Sequence, residues 1–568
     1  MSAAADPDRL GAAFALHRDG RLQEAAEQYR AILEADPNRV DALHLYGVLC
    51  LQGDNATEAK RLVELAISRQ PLMAELHKTM SAVAEALGDR ETMVASLHRC
   101  LTLNPAAAEA FVTLARNHER LSRMGDDSEW NAVALAHGLV CYDRAFAIRP
   151  DSINLCEVAG FHIEYGNRRR SHRHYDLWHQ RRRPSRDVVE ACGFQVVPEE
   201  VVRAIGHMVW LDGYLKMIHL GFRQRHDLVV LAPAAKIANE HYLDYWRNHV
   251  VVVTDSGDIK RLKRFRDHSE YGFGSIFSEG RTQGLTEAVA RAQRAWEEQG
   301  RAPLLSVREE DRRRGWEALT RLGMPPEAWF ATVHMREPGF DRNRQAIDPT
   351  VERIYVDQQH RNVHVEAFLP AIRLIVSRGG WVVRLGDASM TPLPPMTNVI
   401  DYALSPEKSP WMDVFLLGSA HFYLGTSSGL WCVPITFGVP AAITNVAPLA
   451  TRPLSTKDLF MPKLARGKRE GRLLSFAECM NEPVGYASHA GVLLRHGLTL
   501  IDNTAEEIEE LTAEMLDRLD GTARSSEEDE ALQARHLDLS LTRSNWGTNS
   551  RIGRDFLRRH ANLLEASP

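Results

Sequence analysis

GDNATEAKRLVELAISRQP (residues 53–71) and GDRETMVASLHRCLTLNP (residues 88–105) decide how the chain begins to fold. Each opens on a Gly-Asp turn, continues with apolar residues at helical spacing and stops at a proline. Pro37, Pro71 and Pro105 stand 34 residues apart. Gly20, Gly53-Asp54 and Gly88-Asp89 mark turns on the same step. Ala25 and Ala59 follow those turns as small residues, and Tyr29, Val63 and Leu97 are apolar at matching places. Each period therefore predicts two short antiparallel helices. The small residue lets the helices approach, and the proline ends the second one.

This 34-residue period resembles the tetratricopeptide repeat. One unit cannot bury its apolar face alone, so several stack into a superhelix. A fourth unit runs from Ala106 to Pro150 and is about 11 residues longer than the period, with Leu121–Trp130 as the expected insertion. Gly138, Tyr142 and Ala145 then fit its turn and second helix. A fifth, degenerate pair from Ile153 to about Gln180 would cap the array, giving a solenoid over residues 1–182.

Of the 568 residues, 44% are hydrophobic and 25% charged, ordinary for a globular protein, and the net charge of −6 gives no support to bulk nucleic-acid binding. No apolar run reaches the roughly 18 residues that span a bilayer, and MSAAADPDRL does not read as a secretory signal. The seven cysteines are scattered without a Cys-x-x-Cys pair, so reduced thiols and a cytoplasmic location are expected. Arg168–Arg170, His172–His174, Arg181–Arg183 and Arg186 form a basic stretch. It reads as a solvated helix face leading into a linker, or as a contact to an anionic surface.

From about Val196 strands and helices alternate. Strands are expected at His226–Pro233 and His249–Asp255, then at Trp329–Met335, Gly380–Gly386, Asn398–Ala403, Ala420–Thr426 and Pro440–Asn445. Helices are expected between them and at Val201–Leu220, Ala505–Leu519 and Arg551–Leu564, the last after an acidic SSEEDE linker. The pattern predicts two Rossmann-like α/β domains, residues 195–325 and 326–502, followed by C-terminal helices over 503–568.

Three strand-end loops of the second α/β domain could carry chemistry. His334-Met335-Arg336-Glu337-Pro338-Gly339-Phe340-Asp341 and Arg384-Leu385-Gly386-Asp387 each place an arginine where it can grip a phosphate. Gly425-Thr426-Ser427-Ser428-Gly429 offers hydroxyls and backbone N–H groups between a strand and a helix. Together they predict an anionic-ligand pocket. The last loop also matches Gly-x-Ser-x-Gly, so a serine hydrolase with Ser427 as nucleophile is a rival, drawing on Asp458 or Asp502 and His489 or His496. Only one clear strand follows the motif, which argues against it. In the first α/β domain His207 is a candidate acid/base group, and Asp212 and Lys216 can pair on one helix face. Glu337 and Asp341 are alternative bases. No metal-ligand motif is present, so no metal and no cofactor are expected.

IGHMVWLDGYLKMIHLG, HMREPGFD, RNVHVEAFLPAIRLIVSRGGWVVRLGD, HFYLGTSSG and SRIGRDFLRRHANLL, in that order, resemble a family of bacterial glycosyltransferases found with surface-carbohydrate genes and often fused to tetratricopeptide repeats. Trp329–Gly438 also looks like the donor site of fucosyltransferases of the GT-B fold that modify proteins. The resemblance implies a metal-independent GT-B enzyme using a nucleotide-sugar, GDP- or UDP-linked. Arg336 and Arg384 would hold the diphosphate, Thr426, Ser427 and Ser428 the phosphate or nucleoside, and His334 and Asp341 would lie near the sugar. The array would recruit a protein or peptide acceptor, and a homo-oligomer stays open. On this reading Arg384→Ala abolishes turnover and leaves the fold intact. The rival of another class is a repeat adaptor with an inactive α/β domain.

Overall fold

The computed structural model describes residues 7–122, 128–152, 155–165, 167–181, 193–197, 199–271, 275–278, 281–326, 328–339, 358–543 and 550–565. They belong to two compact units, Met1–Ser122 with Ala134–Asn154, and Arg123–Val133 with Leu155–Pro568.

The first unit is helical: α1 (Pro7–Arg18), α2 (Leu22–Ala35), α3 (Val40–Gln52), α4 (Ala56–Arg69), α5 (Ala74–Ala86), α6 (Arg90–Leu103), α7 (Ala108–Ser122) and, from Ala134 on, α8 (Ser128–Ile148). The period is written into its backbone. Gly20, Asp54 and Gly88 all take left-handed φ values, 80°, 59° and 72°, where the first helix of each pair hands over to the second. Glycine suits that region and aspartate tolerates it. Asn55 and Asp89 then cap α4 and α6 by accepting from the N–H groups of Glu58 and Thr92. Helices α2, α4 and α6 end on Asp36, Gln70 and Asn104 with φ of −141°, −133° and −137°, extended because each precedes a proline or its turn. Ala25, Ala59, Tyr29, Val63 and Leu97 are all fully buried. Gly47 lets α3 meet α4 closely: a Cβ there would lie 2.8 Å from Val63 Cγ2. The fourth pair departs from expectation. The extra residues lengthen α8 to 21 residues, and Gly138 lies inside that helix rather than at a turn.

The second unit holds the sheets. A three-stranded parallel sheet has the order β1 (Phe194–Val197), β2 (Asp227–Leu231), β3 (Val251–Val253). A hairpin pairs β4 (Ser275–Ser278) with β5 (Arg281–Gly284). The larger sheet is built from β6 (Phe330–His334), β7 (Trp381–Arg384), β8 (Val399–Ile400), β9 (Phe422–Thr426), β10 (Ala441–Val446) and β11 (Leu459–Pro462). A second antiparallel pair is β12 (Leu464–Gly467) with β13 (Leu498–Ile501), and β14 (Arg551–Ile552) completes the large sheet at its edge. Its order is β14-β11-β10-β9-β6-β7-β8, all parallel. Central strands covered on both faces read as continuous apolar runs, and every residue of β6, β9 and β10 is buried. One apolar core runs through both parallel sheets, from Met208 and Trp246 to Phe415 and Ile443.

Several expectations shift. The strands β1, β4, β5, β11, β12, β13 and β14 were not foreseen, and three strands of the large sheet follow the Gly-x-Ser-x-Gly turn rather than one. SSEEDE is no linker: Ser526 and Asp529 cap a helix over Glu527–Arg543 reciprocally. The closing helix is instead β14, a helix at Arg554–Arg559 and a 3-10 turn at Ala561–Leu564. The fifth helix pair, Leu155–Glu164 and Arg168–Arg181, groups with the second unit. Its basic helix is docked on one side rather than solvated. Ser171, His174 and Tyr175 are buried, the Arg168 guanidinium lies 5.5 Å from the Tyr486 ring centre, and Glu482 accepts from the Arg169 N–H at 3.2 Å.

Candidate functional site

The order β9-β6-β7 contains a reversal. From β6 the chain moves outward to β7 and β8, then returns to lay β9 on the other side of β6. The loops that leave β6 and β9 flank this reversal, the place where open parallel sheets hold ligands in a crevice at the carboxyl ends of their strands. The register sets His334 beside Gly425, so the Arg336 loop and the Gly425–Gly429 turn sit on its two rims. Close strand contact there requires glycine: a Cβ on Gly425 would lie 2.4 Å from the His334 carbonyl oxygen.

Residues 361–363 stitch the rims together. Arg361 donates through Nη2 to the Ser427 carbonyl, the Asn362 carbonyl accepts from Lys463 Nζ at 3.1 Å, and the Val363 N–H donates to the Arg336 carbonyl at 3.1 Å. The Arg336 N–H in turn donates to Thr426 Oγ1 at 3.1 Å. Arg336, Arg361 and Lys463 are therefore tied to the ends of β6, β9 and β11, Arg336 through its backbone and the other two through their cationic groups. Lys463 also pairs with Asp502 at 2.6 Å, and burial lowers its pKa. Neither Arg361 nor Lys463 was singled out from sequence. Arg361 stood inside a quoted family block, and a lysine directly after the apolar run Leu459–Pro462 was the only signal for the other.

The 3-10 turn Ile205–Met208 comes against the same serine-rich turn. A Cβ on Gly206 would lie 2.5 Å from the Gly429 carbonyl oxygen, so the two backbones are in contact. This sets His207 next to Gly429. Its Nδ1 lies 3.0 Å from the Glu200 carbonyl and donates to it. Burial lowers its pKa and favours the neutral ring. His334 shares that state: Nδ1 donates to the Leu385 carbonyl at 3.2 Å, and burial pushes its pKa down to about 4.

Other contacts engage five of the candidate residues within the protein itself. Arg384 does not offer its fork to a ligand. It is fully buried, with Nη2 on Glu337 at 2.9 Å and on the Thr391 carbonyl, and Nη1 on Asp401 at 3.0 Å. Glu337 is held on its other side too, for its second oxygen accepts from the Thr391 N–H and hydroxyl. Asp387 closes a local turn by accepting from the Ser389 N–H at 2.7 Å, and Gly386 packs under Met390, where a Cβ would meet side-chain carbons at 2.8 Å. The Ser427 hydroxyl is held by the backbone, donating to the Ala447 carbonyl at 3.0 Å and accepting from the Ala447 N–H. The hydrolase's other members are dispersed too, Asp458 accepting from the N–H groups of Ala441 and Ser455 and Asp502 holding Lys463. Thr426 and Ser428 are buried at the turn, and Asp341 lies outside the described residues. Asp212 and Lys216 pair as their spacing suggests, at 2.6 Å, with Gln293 as a second acceptor for the ammonium.

A family model for the tetratricopeptide repeat matches residues 16–83. Solved repeat proteins are similar over part of the chain. A crystal structure of MamA covers 29% of this chain and 86% of its own at 15% identity, TM-score 0.25. YrrB, described as a TPR protein with an unusual peptide-binding site, covers 30% and 84% at 20% identity, TM-score 0.24. PilF of Pseudomonas aeruginosa covers 30% and 74% at 16% identity, TM-score 0.26. No curated protein matches the chain. The chain joins a helical, tetratricopeptide-repeat-like N-terminal region to a mixed α/β region with a parallel seven-stranded sheet. Among the described residues no helix is long and apolar enough to cross a membrane.

Proposed function

We propose that the α/β region is a glycosyltransferase of the GT-B kind, moving a sugar from a GDP- or UDP-sugar to a protein or surface-glycan acceptor that the repeat array recruits. The observation that carries this reading is the stitched crevice at the strand reversal, where Arg336, Arg361, Lys463 and the Gly425–Gly429 turn meet. Cations and hydroxyls fixed at such an edge suit a diphosphate whose negative charge grows as it leaves. In this scheme the role first given to Arg384 falls to Arg361, with Lys463 held beside it by Asp502. His207, kept in its neutral form by burial, is the group assigned to receive the proton of the acceptor hydroxyl. The chemistry asks no metal of these side chains.

A second reading has its own support. The commitment of Arg384 and Ser427 to protein partners is what an adaptor with an inactive α/β region would show. A thermal-shift panel of nucleoside diphosphates and nucleotide-sugars separates the two. A bound ligand at about 100 times its dissociation constant adds about 2.7 kcal/mol of stability. The transferase reading expects a rise with one base and not the others; a flat panel supports the adaptor.

A further inference from the structure

Arg452 lies in the loop between β10 and β11 and is 4% exposed. The deeply buried cations elsewhere in this unit have carboxylate partners: Arg384 has Glu337 and Asp401, Lys216 has Asp212, Arg223 has Glu270 and Lys463 has Asp502. Arg452 has none among the described residues. Its guanidinium lies 5.0 Å from the Phe460 ring centre, Nη1 faces His536 Nδ1 at 3.4 Å, Nη2 faces Met480 Sδ at 3.8 Å, and the buried Nε has no hydrogen-bond partner. Phe460 offers a ring face, which attracts a cation without neutralising it. His536 is fully buried beside Phe476, and burial holds its pKa well below the ordinary histidine value, so it stays neutral and supplies no counter-charge. Burial also pushes Arg452 down to about 9, which leaves it protonated at neutral pH. A guanidinium carries five N–H donors in a planar fork, and here the acceptors are one imidazole and one thioether. An unpaired buried charge is costly unless something of opposite sign completes it.

We propose that Arg452 anchors a binding site for a small oxyanion, with the fork taking two of its oxygens and the loop after β10, β11, Met480 and His536 forming the walls. Phosphate, sulfate and carboxylate share that chemistry. The site does not depend on the transferase reading and lies on a different set of elements from the Arg361 crevice.

The test is the melting midpoint of the full chain at fixed ionic strength, titrating sodium phosphate, sulfate or acetate against sodium chloride. Phosphate and sulfate stabilise many proteins without saturating, so the informative quantity is a saturable rise. The expected result is saturation with at least one oxyanion, absent in Arg452→Met, whose midpoint in chloride equals or exceeds the wild type because an uncompensated charge is gone. Should R452M not fold, Arg452→Lys, which keeps the charge and loses the fork, replaces it, and its half-saturating concentration should rise at least tenfold. Equal wild-type midpoints in all salts, or saturation unchanged in the variant, overturns the site. A nucleotide response that survives in R452M leaves the transferase reading standing whatever the oxyanion result.

Discussion

The helical array and the large parallel sheet use the same charged residues in opposite ways. In the array most ion pairs are exposed and local, such as Arg21 with Glu24 and Arg61 with Glu58, three residues apart on one helix face. In the sheet they are buried and distant, such as Arg384 with Glu337 and Asp401. An exposed pair gives little, because water screens it and side-chain entropy opposes it. A buried pair resists the removal of one member, because the other is left as an unpaired charge. An arginine's position in sequence therefore says little about its role until its surroundings are known.

The largest effect follows from the buried triad. Arg384→Met strands Glu337 and should cost about 3–5 kcal/mol, read by chemical denaturation of the second unit, while the α1–α6 helical signal persists. A loss below about 1 kcal/mol would return Arg384 to the list of ligand-binding candidates and collapse the contrast drawn above.

Next is a pH effect confined to the sheet. Asp458 is fully buried and its pKa is raised to about 8 by desolvation. An unfolded aspartate loses its proton near pH 4, roughly, while the folded one holds it to about 8. The folded state thus binds more protons in that window, and stability falls as pH rises through it. Buried neutral histidines slope the other way below pH 6.5 or so, so the quantity to read is wild type minus Asp458→Asn. That difference should fall by about 1.4 kcal/mol per pH unit between roughly pH 5 and 7. A flat difference removes Asp458 as a buried acid.

A smaller effect probes the contact between the Ile205–Met208 turn and the serine-rich turn. Gly206→Ala puts a methyl 2.5 Å from a backbone oxygen that cannot swing away. It should cost about 1–3 kcal/mol and weaken ligand response at the crevice. An unchanged melting midpoint would mean that the two turns do not meet as described. Smallest is Glu58→Gln in the array, expected below about 0.5 kcal/mol by denaturant titration. A loss as large as that of R384M would erase the distinction between exposed and buried pairs.

The array was legible because each of its contacts is local and repeats: Gly20, Asp54 and Gly88 announce the same backbone turn three times over. Strands β6, β7, β9 and β10 were legible as apolar runs. Strand β11 was not, since its sequence Leu-Phe-Met-Pro lacks β-branched residues and ends in proline, and β14 is only two residues long. Extra length in the fourth repeat was visible, but its placement inside α8 was not, because Gly138 reads as a turn until the helix around it is seen. The crevice was half legible. The Arg336 loop and the Gly425–Gly429 turn follow from strand ends, whereas Arg361 and Lys463 reach them through pairings that no local pattern encodes. Arg384 misled for the same reason: Glu337 and Asp401 come from other loops.

Titration calorimetry of UDP and GDP into the intact protein and into Arg361→Ala examines the crevice most directly. The account expects one of the two nucleotides to bind the wild type and its affinity to fall at least tenfold in the variant. Absence of heat from both nucleotides in the wild type, or equal binding by R361A, would contradict it.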